Sequence, residues 1–134
     1  MDQSGELGPI VVRLRGGLGN QLFQFSAGYA LSRKLGSNLY LHYDHSKYEP
    51  AHSVPRLHAF NLPFKQYLIN QHGLIRRKGL SGIITQLRAK ALQYPTLSCA
   101  RESHFHYDPQ FEALPAGSYL DGYWQSYRYF AQYQ

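Results

Sequence analysis

The spacing of apolar positions changes twice in the first forty-four residues. Ile10-Val11-Val12-Arg13-Leu14 is a short, nearly continuous apolar run, β-branched at its start. That pattern predicts a buried parallel strand over 10–15. From Gln21 to Leu35 the period becomes helical: Leu22, Phe25 and Tyr29 share one stripe, and Phe23, Ala27, Ala30 and Leu31 the adjacent one. The predicted helix is apolar around much of its circumference until Ser32, so it should be largely buried. Arg33 and Lys34 suit the negative end of its dipole, and Gly36 supplies a stop. Gly28, inside the helix, costs about 1 kcal/mol against alanine and is expected to permit close packing on a sheet. Residues 38–44, Asn38 to Asp44, predict a second strand. Together these pieces form a β-α-β unit with parallel strands and a right-handed crossover.

Beyond it the pattern weakens. Residues 45–63 are loop-like and hold Pro50, Pro55 and Pro63, with Leu57 to Phe64 as a short extended piece. Residues 65–93 are weakly helical, and Ile83 to Leu92 is the best helix among them. Thr96 to Ser103 and Phe105 to Tyr107 predict short strands around a polar turn. Pro109 to Leu114 predicts a single helical turn, and Ser118 to Gln125 a strand with alternating aromatics. Ser126 is placed to cap a final helix, Tyr127 to Tyr133. Residues 1–9 are polar and glycine-rich, a flexible lead-in that resembles neither a signal nor a transit peptide.

The 134 residues suffice for one compact domain. Charged residues are only 16% and aromatic ones 15%, which suggests extensive interfaces: a polar ligand cleft or a partner domain. The net charge of +6 admits an anionic partner, although the one dense run, Arg76-Arg77-Lys78, also reads as a solvated face. The lone cysteine, Cys99, excludes an intrachain disulfide and reads as a small packed residue. No apolar stretch reaches the ~18–20 residues of a membrane span. The expectation is a soluble, intracellular chain.

Between strand and helix lies Arg15-Gly16-Gly17-Leu18-Gly19-Asn20-Gln21. A strand–glycine turn–helix layout lets backbone N–H groups at a helix start meet an anion. Three glycines in four residues offer positive φ and close ligand approach, and Asn20 is a suitable N-cap. The turn lacks the Gly-Lys-Ser/Thr ending of a P-loop. Leu22 stands where a dinucleotide fingerprint needs its third glycine, and Asp44 comes too late for the ribose carboxylate, so a nicotinamide cofactor is disfavoured. A structural βα turn and a phosphate-contacting loop both remain open. His42 and His45 around Asp44, and His104 with His106, are candidate metal pairs, but no zinc-type cluster accompanies either and solvated imidazoles fit better. Asp44, Glu102 and Asp121 lie near predicted strand ends, where a carboxylate can serve as a base or simply as a cap or ion-pair partner. Tyr123, Trp124, Tyr127 and Tyr129 suit a sugar-binding wall and equally a core or interdomain contact.

Gly16-Gly17-Leu18-Gly19-Asn20-Gln21-Leu22-Phe23-Gln24-Phe25, followed by a small-residue helix, resembles the N-terminal signature of glycosyltransferase family 11, the α-1,2-fucosyltransferases, many of them bacterial. Tyr119-Leu120-Asp121-Gly122-Tyr123-Trp124-Gln125-Ser126, then Tyr129-Phe130, resembles that family's aromatic segment ahead of its donor-binding half. Leu57 to Leu62 and Glu102 to Phe111 fit the intervening pattern more loosely. The resemblance implies an α/β, Rossmann-like three-layer domain with a parallel sheet over residues 10–134, the N-terminal, acceptor-side half of a GT-B-like fold. It implies transfer of L-fucose from GDP-fucose to the 2-hydroxyl of a galactose-terminated glycan, with inversion and with neither cofactor nor obligatory metal. Gly17, Gly19 and Asn20, with Arg15 beside them, are implied contacts of the donor pyrophosphate; no catalytic base is implied. The expected setting is the bacterial cytoplasm, with peripheral attachment at the inner membrane as an option.

The sequence departs from the family in one respect. The His-x-Arg type motif that opens the donor-binding half occurs nowhere in the 134 residues. The expectation is a missing C-terminal domain, leaving-group stabilisation lost with it, and little or no transferase activity in this chain alone. Two other readings stand beside this one: a non-catalytic carbohydrate- or partner-binding remnant of the same fold, and a small basic nucleic-acid-binding domain. The latter calls for a basic stripe with interleaved aromatics, whereas the bases here are scattered.

Overall fold

The computed structural model describes residues 7–43, 56–69 and 97–133. The Arg76-Arg77-Lys78 run, the Ile83–Leu92 helix, Asp44 and His45 lie outside the described residues. Strand β1 (Ile10–Arg13) feeds helix α1 (Leu18–Leu35), which returns into β2 (Leu39–Tyr43). Strands β3 (Gln66–Ile69), β4 (Ser98–Arg101) and β5 (Ser118–Asp121) complete a five-stranded sheet of order β3-β2-β1-β5-β4. Every pairing is parallel. This is the expected α/β, Rossmann-like arrangement.

The register divides the sheet into two faces. Ile10, Val12 and Leu14 alternate toward α1, and with Leu39, Leu41, Leu120, Phe25, Ala27 and Leu31 they form the main buried cluster. Val11, Tyr119 and Leu97 form a smaller cluster on the other face. Alternation of this kind follows from the two-residue side-chain period of a strand. Helix α1 is largely buried as expected, and its stop is as expected too: Gly36 has φ +69°, its N–H donates to Arg33, and Ser37 N donates to the Ser32 carbonyl at 2.9 Å.

Gly28 shows why the helix tolerates a poor helix former at its centre. A Cβ there would lie 2.1 Å from Val12 Cγ2 and 3.2 Å from Leu39 Cδ1. The missing side chain lets α1 rest directly on β1 and β2.

Several local expectations give way to longer-range contacts. Gln66–Ile69 is a strand, not weak helix, because β2 offers a free edge and pairs with it from Tyr40↔Gln66 to Tyr43↔Ile69. Leu57–Ala59 is a 3-10 turn rather than an extended piece, and it carries the fully buried Leu57 into the core. Phe105–Tyr107 forms no strand: the His104 and His106 rings stack at 3.6 Å, and His104 Nδ1 hydrogen-bonds the His106 carbonyl, folding the segment on itself. The strand expected over 118–125 ends at Asp121, because Glu102 takes the N–H groups of Tyr123 and Trp124. Pro109–Ala113 is a helical turn as expected, of 3-10 type and capped by Asp108. Ser126 also caps as expected, but it opens a pair of 3-10 turns, Tyr127–Tyr129 and Ala131–Tyr133, rather than one helix.

Gly28→Ala should destabilise the fold by about 1–3 kcal/mol through overpacking, despite alanine's better helix propensity. Urea unfolding of Gly28→Ala, Val12→Ala and the double variant checks this. The double variant should recover part of the loss, because the added methyl then has room.

Candidate functional site

Ligands of open α/β sheets bind outside the carboxyl ends of the strands, where the winding direction reverses. Here the chain winds outward from β1 through β2 to β3, while β5 and β4 lie on the other side. The reversal falls between β1 and β5. The carboxyl end of β1 continues into Arg15 and the glycine turn, and that of β5 into Gly122 to Ser126. The two stretches singled out in the sequence therefore meet at one point. Gln125 Nε2 donates to Asn20 Oδ1, Arg15 Nη2 lies 3.2 Å from Asp121 Oδ1, and the Arg15 guanidinium sits 5.7 Å from the Tyr123 ring centre.

The turn is braced from inside the helix. Gln24, fully buried, accepts from Arg15 N–H at 3.0 Å and donates to the Arg15 carbonyl at 3.2 Å. Gln21, also fully buried, donates to the Gly16 carbonyl at 3.0 Å and accepts from Arg56 N–H at 3.0 Å. Each side-chain amide satisfies backbone groups that would otherwise be stranded in the core. Reasoning from the sequence missed both roles. The available signal was a pair of amides spaced three apart within an otherwise apolar helix.

Two expectations about the turn are corrected. Only Gly16 uses positive φ, at +77°; Gly17 and Gly19 do not. Asn20 is not the N-cap: the helix starts earlier, Gly17 is the cap residue with φ −77° and ψ −177°, and no side chain caps. The first intrahelical bond is Gln21 N to the Gly17 carbonyl, at 3.1 Å. The N–H groups of Leu18, Gly19 and Asn20 therefore have no hydrogen-bond partner among the described residues. A Cβ on Gly17 or on Gly19 would meet nothing within 4 Å. Packing does not demand glycine at either position, and both leave the approach to the free N–H groups open. Such a helix start attracts an anion, and Arg15 adds a full positive charge beside it.

Asp121 and Glu102, expected as possible bases, are both engaged. Asp121, with its side chain 8% exposed, faces Arg15, Arg101 Nε at 3.3 Å and Arg13 Nη1 at 3.6 Å. One carboxylate thus ties together three guanidiniums at the carboxyl ends of β1, β4 and β5. Glu102 accepts from Tyr123 N–H at 3.0 Å through Oε1 and from Trp124 N–H at 3.1 Å through Oε2. This clamp pulls the chain out of the ladder after Asp121 and holds Trp124 at φ +55°, a conformation that costs a non-glycine residue about 1–3 kcal/mol.

The aromatic group splits. Trp124 and Tyr129 are buried with Phe111, the three rings lying 4.7–5.6 Å apart, while Tyr127 is exposed. Burial pushes the Tyr129 hydroxyl above its ordinary value, against the pull of the Asp108 N–H that it accepts. Cys99, expected as a small packed residue, is instead exposed on the edge strand β4; desolvation and the Asp121 carboxylate still push its thiol up, outweighing Arg101 and Arg13. At neutral pH Cys99 is therefore a thiol, not an activated nucleophile. Among the described residues no three His, Cys, Asp or Glu gather as a metal site, and no helix is long and apolar enough to cross a membrane.

Gln24→Leu keeps the volume and strands the Arg15 N–H and carbonyl, so it should cost about 2–4 kcal/mol. Lys34→Ala, which breaks the exposed pair with Glu112 at the far end of α1, should cost under about 1 kcal/mol. Denaturant unfolding of the two variants side by side checks the contrast.

No family model matches the chain, and no solved structure gives a significant match. Among curated proteins the chain is similar to an alpha-1,2-colitosyltransferase of Escherichia coli, 30% identical over 129 residues. The likeness takes in 93% of this chain and 42% of that protein, so the chain spans about two-fifths of the length of the curated relative it matches. The similarity, along nearly the whole chain, is to a glycosyltransferase of the α-1,2 type.

Proposed function

We propose that this chain forms the acceptor-side wall of the cleft of an inverting α-1,2-glycosyltransferase, with GDP-fucose as donor and a galactose-terminated glycan as acceptor. One observation carries the reading. At the switch point of the sheet, a braced glycine turn presents, beside Arg15, three N–H groups without a partner among the described residues, with open space over Gly17 and Gly19. Similarity to a glycosyltransferase over 93% of the chain supports it. In the proposed reaction the acceptor 2-hydroxyl attacks the anomeric carbon of the donor sugar, and the bond from that carbon to the diphosphate oxygen breaks. The pair of electrons leaves with the diphosphate, whose growing charge the helix start and Arg15 offset. The hydroxyl proton passes to a base that is neither Asp121 nor Glu102, since both are committed to the chain's own groups. The donor-binding half is assigned to a second domain, and the setting to the bacterial cytoplasm.

The relative's name favours a second reading for the donor alone, in which the transferred sugar is colitosyl. Offering both donors to the protein with a methyl galactoside separates the two. The test of the site is Gly19→Val. A Cβ at this position meets nothing in the fold, and the branched side chain is expected to stand over the N–H groups. It should keep the melting temperature within a few degrees and lower kcat/KM for the donor at least about 10-fold, the loss of one good hydrogen bond to an anion. Unchanged kcat/KM in a stable Gly19→Val would contradict the proposal.

A further inference from the structure

The Asn20 side chain is set against what a helix start favours. Asn20 is the third residue of α1, a position that usually turns an acceptor back toward the unpaired N–H groups of the first turn. The first turn of α1 holds no acidic residue, and the side-chain oxygen at hand is drawn away: Asn20 Oδ1 accepts from Gln125 Nε2, 105 residues along the chain. The amide nitrogen lies over the turn instead. A Cβ on Gly16 would stand 2.4 Å from Asn20 Nδ2. Gly16 is therefore needed twice, for its φ of +77° and for the room it leaves this amide. Asn20 Nδ2 has no hydrogen-bond partner among the described residues.

Gln125 can hold that oxygen because its side chain springs from a fixed point. Glu102 holds the N–H groups of Tyr123 and Trp124, the Trp124 ring packs on Phe111 and Tyr129, and Ser126 N–H closes back on the Trp124 carbonyl at 2.9 Å. The backbone on both sides of Gln125 is tied down, so aiming its exposed side chain forgoes less freedom than it would from a loose loop. We propose that Gln125 is a positioning residue. By donating to Oδ1 it fixes the Asn20 amide with its NH2 group toward the glycine turn, and so adds a fourth, side-chain donor to the backbone N–H groups of Leu18, Gly19 and Asn20. Without that bond the amide is free to turn its oxygen inward, where it would satisfy the helix start and repel an anion. The inference rests on the diphosphate reading of the turn: Asn20 touches the ligand, and Gln125 acts only through Asn20.

NMR of the chain, with inorganic pyrophosphate as the probe, tests this. Before any pyrophosphate is added, the Asn20 side-chain NH2 protons should show an NOE to Gly16 Hα. Gln125→Glu, which can only accept, should turn the amide round and remove that NOE. Pyrophosphate should then shift the Asn20 NH2 signals together with the Leu18 and Gly19 backbone N–H signals. Asn20→Ala keeps the backbone N–H and should weaken pyrophosphate binding about 3–10-fold, the loss of one hydrogen bond. Gln125→Met should weaken it about 2–5-fold in the parent and not at all in the Asn20→Ala background, because its effect passes through Asn20. A parent without the NOE, a Gln125→Met that binds as tightly as the parent, or a Gln125→Met loss that persists in Asn20→Ala overturns the inference. The two proposals fail in different ways. If the Leu18 and Gly19 N–H groups respond while the Asn20 NH2 does not, the positioning role of Gln125 falls alone. If none of them responds although the NOE is present, the diphosphate reading fails, and this inference with it.

Discussion

Two buried side-chain amides hold the site in shape. Gln21 and Gln24 rise from the first two turns of α1 and hydrogen-bond the backbone of Arg15 and Gly16, the residues that lead into that helix. A turn between a buried strand and a buried helix carries peptide groups that water cannot reach, and leaving them unpaired is expensive. The amides remove that cost and fix the path of the chain. The N–H groups of Leu18, Gly19 and Asn20 then point outward from a settled turn, and an anion binding there need not organise it.

The second half of the site depends on the order of the strands. Because β5 lies against β1, the stretch after Asp121 is delivered to the glycine turn from more than a hundred residues away. Two carboxylates shape it there. Asp121 gathers three arginines, and Glu102 clamps the backbone of Tyr123 and Trp124. Both act as scaffolding, and the N–H groups of Leu18, Gly19 and Asn20 keep no partner among the described residues. The same clamp holds Trp124 in the wall of a neighbouring cavity.

The β-α-β unit could be read from the sequence because its information is local. The change of apolar period, the Gly36 stop and the Gly28 contact each follow from a few neighbouring residues. The two motif stretches could be read as chemistry, and the strand order supplies the reason they meet. Other features depended on partners far along the chain. Gln66–Ile69 becomes a strand because the edge of β2 is free. Glu102 reads as a possible base until the Tyr123 and Trp124 N–H groups, some twenty residues on, claim both its oxygens. Asn20 was a sound N-cap by residue type, but Gly17 turns into the helix three residues sooner, and the Asn20 side chain serves Gln125 instead. Gln21 and Gln24 are two amides in an otherwise apolar helix, and their role shows only when the backbone they serve is in view.

The central claim is that a braced glycine turn receives the donor diphosphate through the N–H groups of Leu18, Gly19 and Asn20. Amide ¹H–¹⁵N mapping of GDP-fucose on the protein tests it most directly. The account predicts that the largest shifts fall on those three N–H groups and on the Arg15 side chain, while the Arg15 backbone amide, tied to Gln24, barely moves. Shifts that leave Leu18, Gly19 and Asn20 untouched while others respond would contradict it.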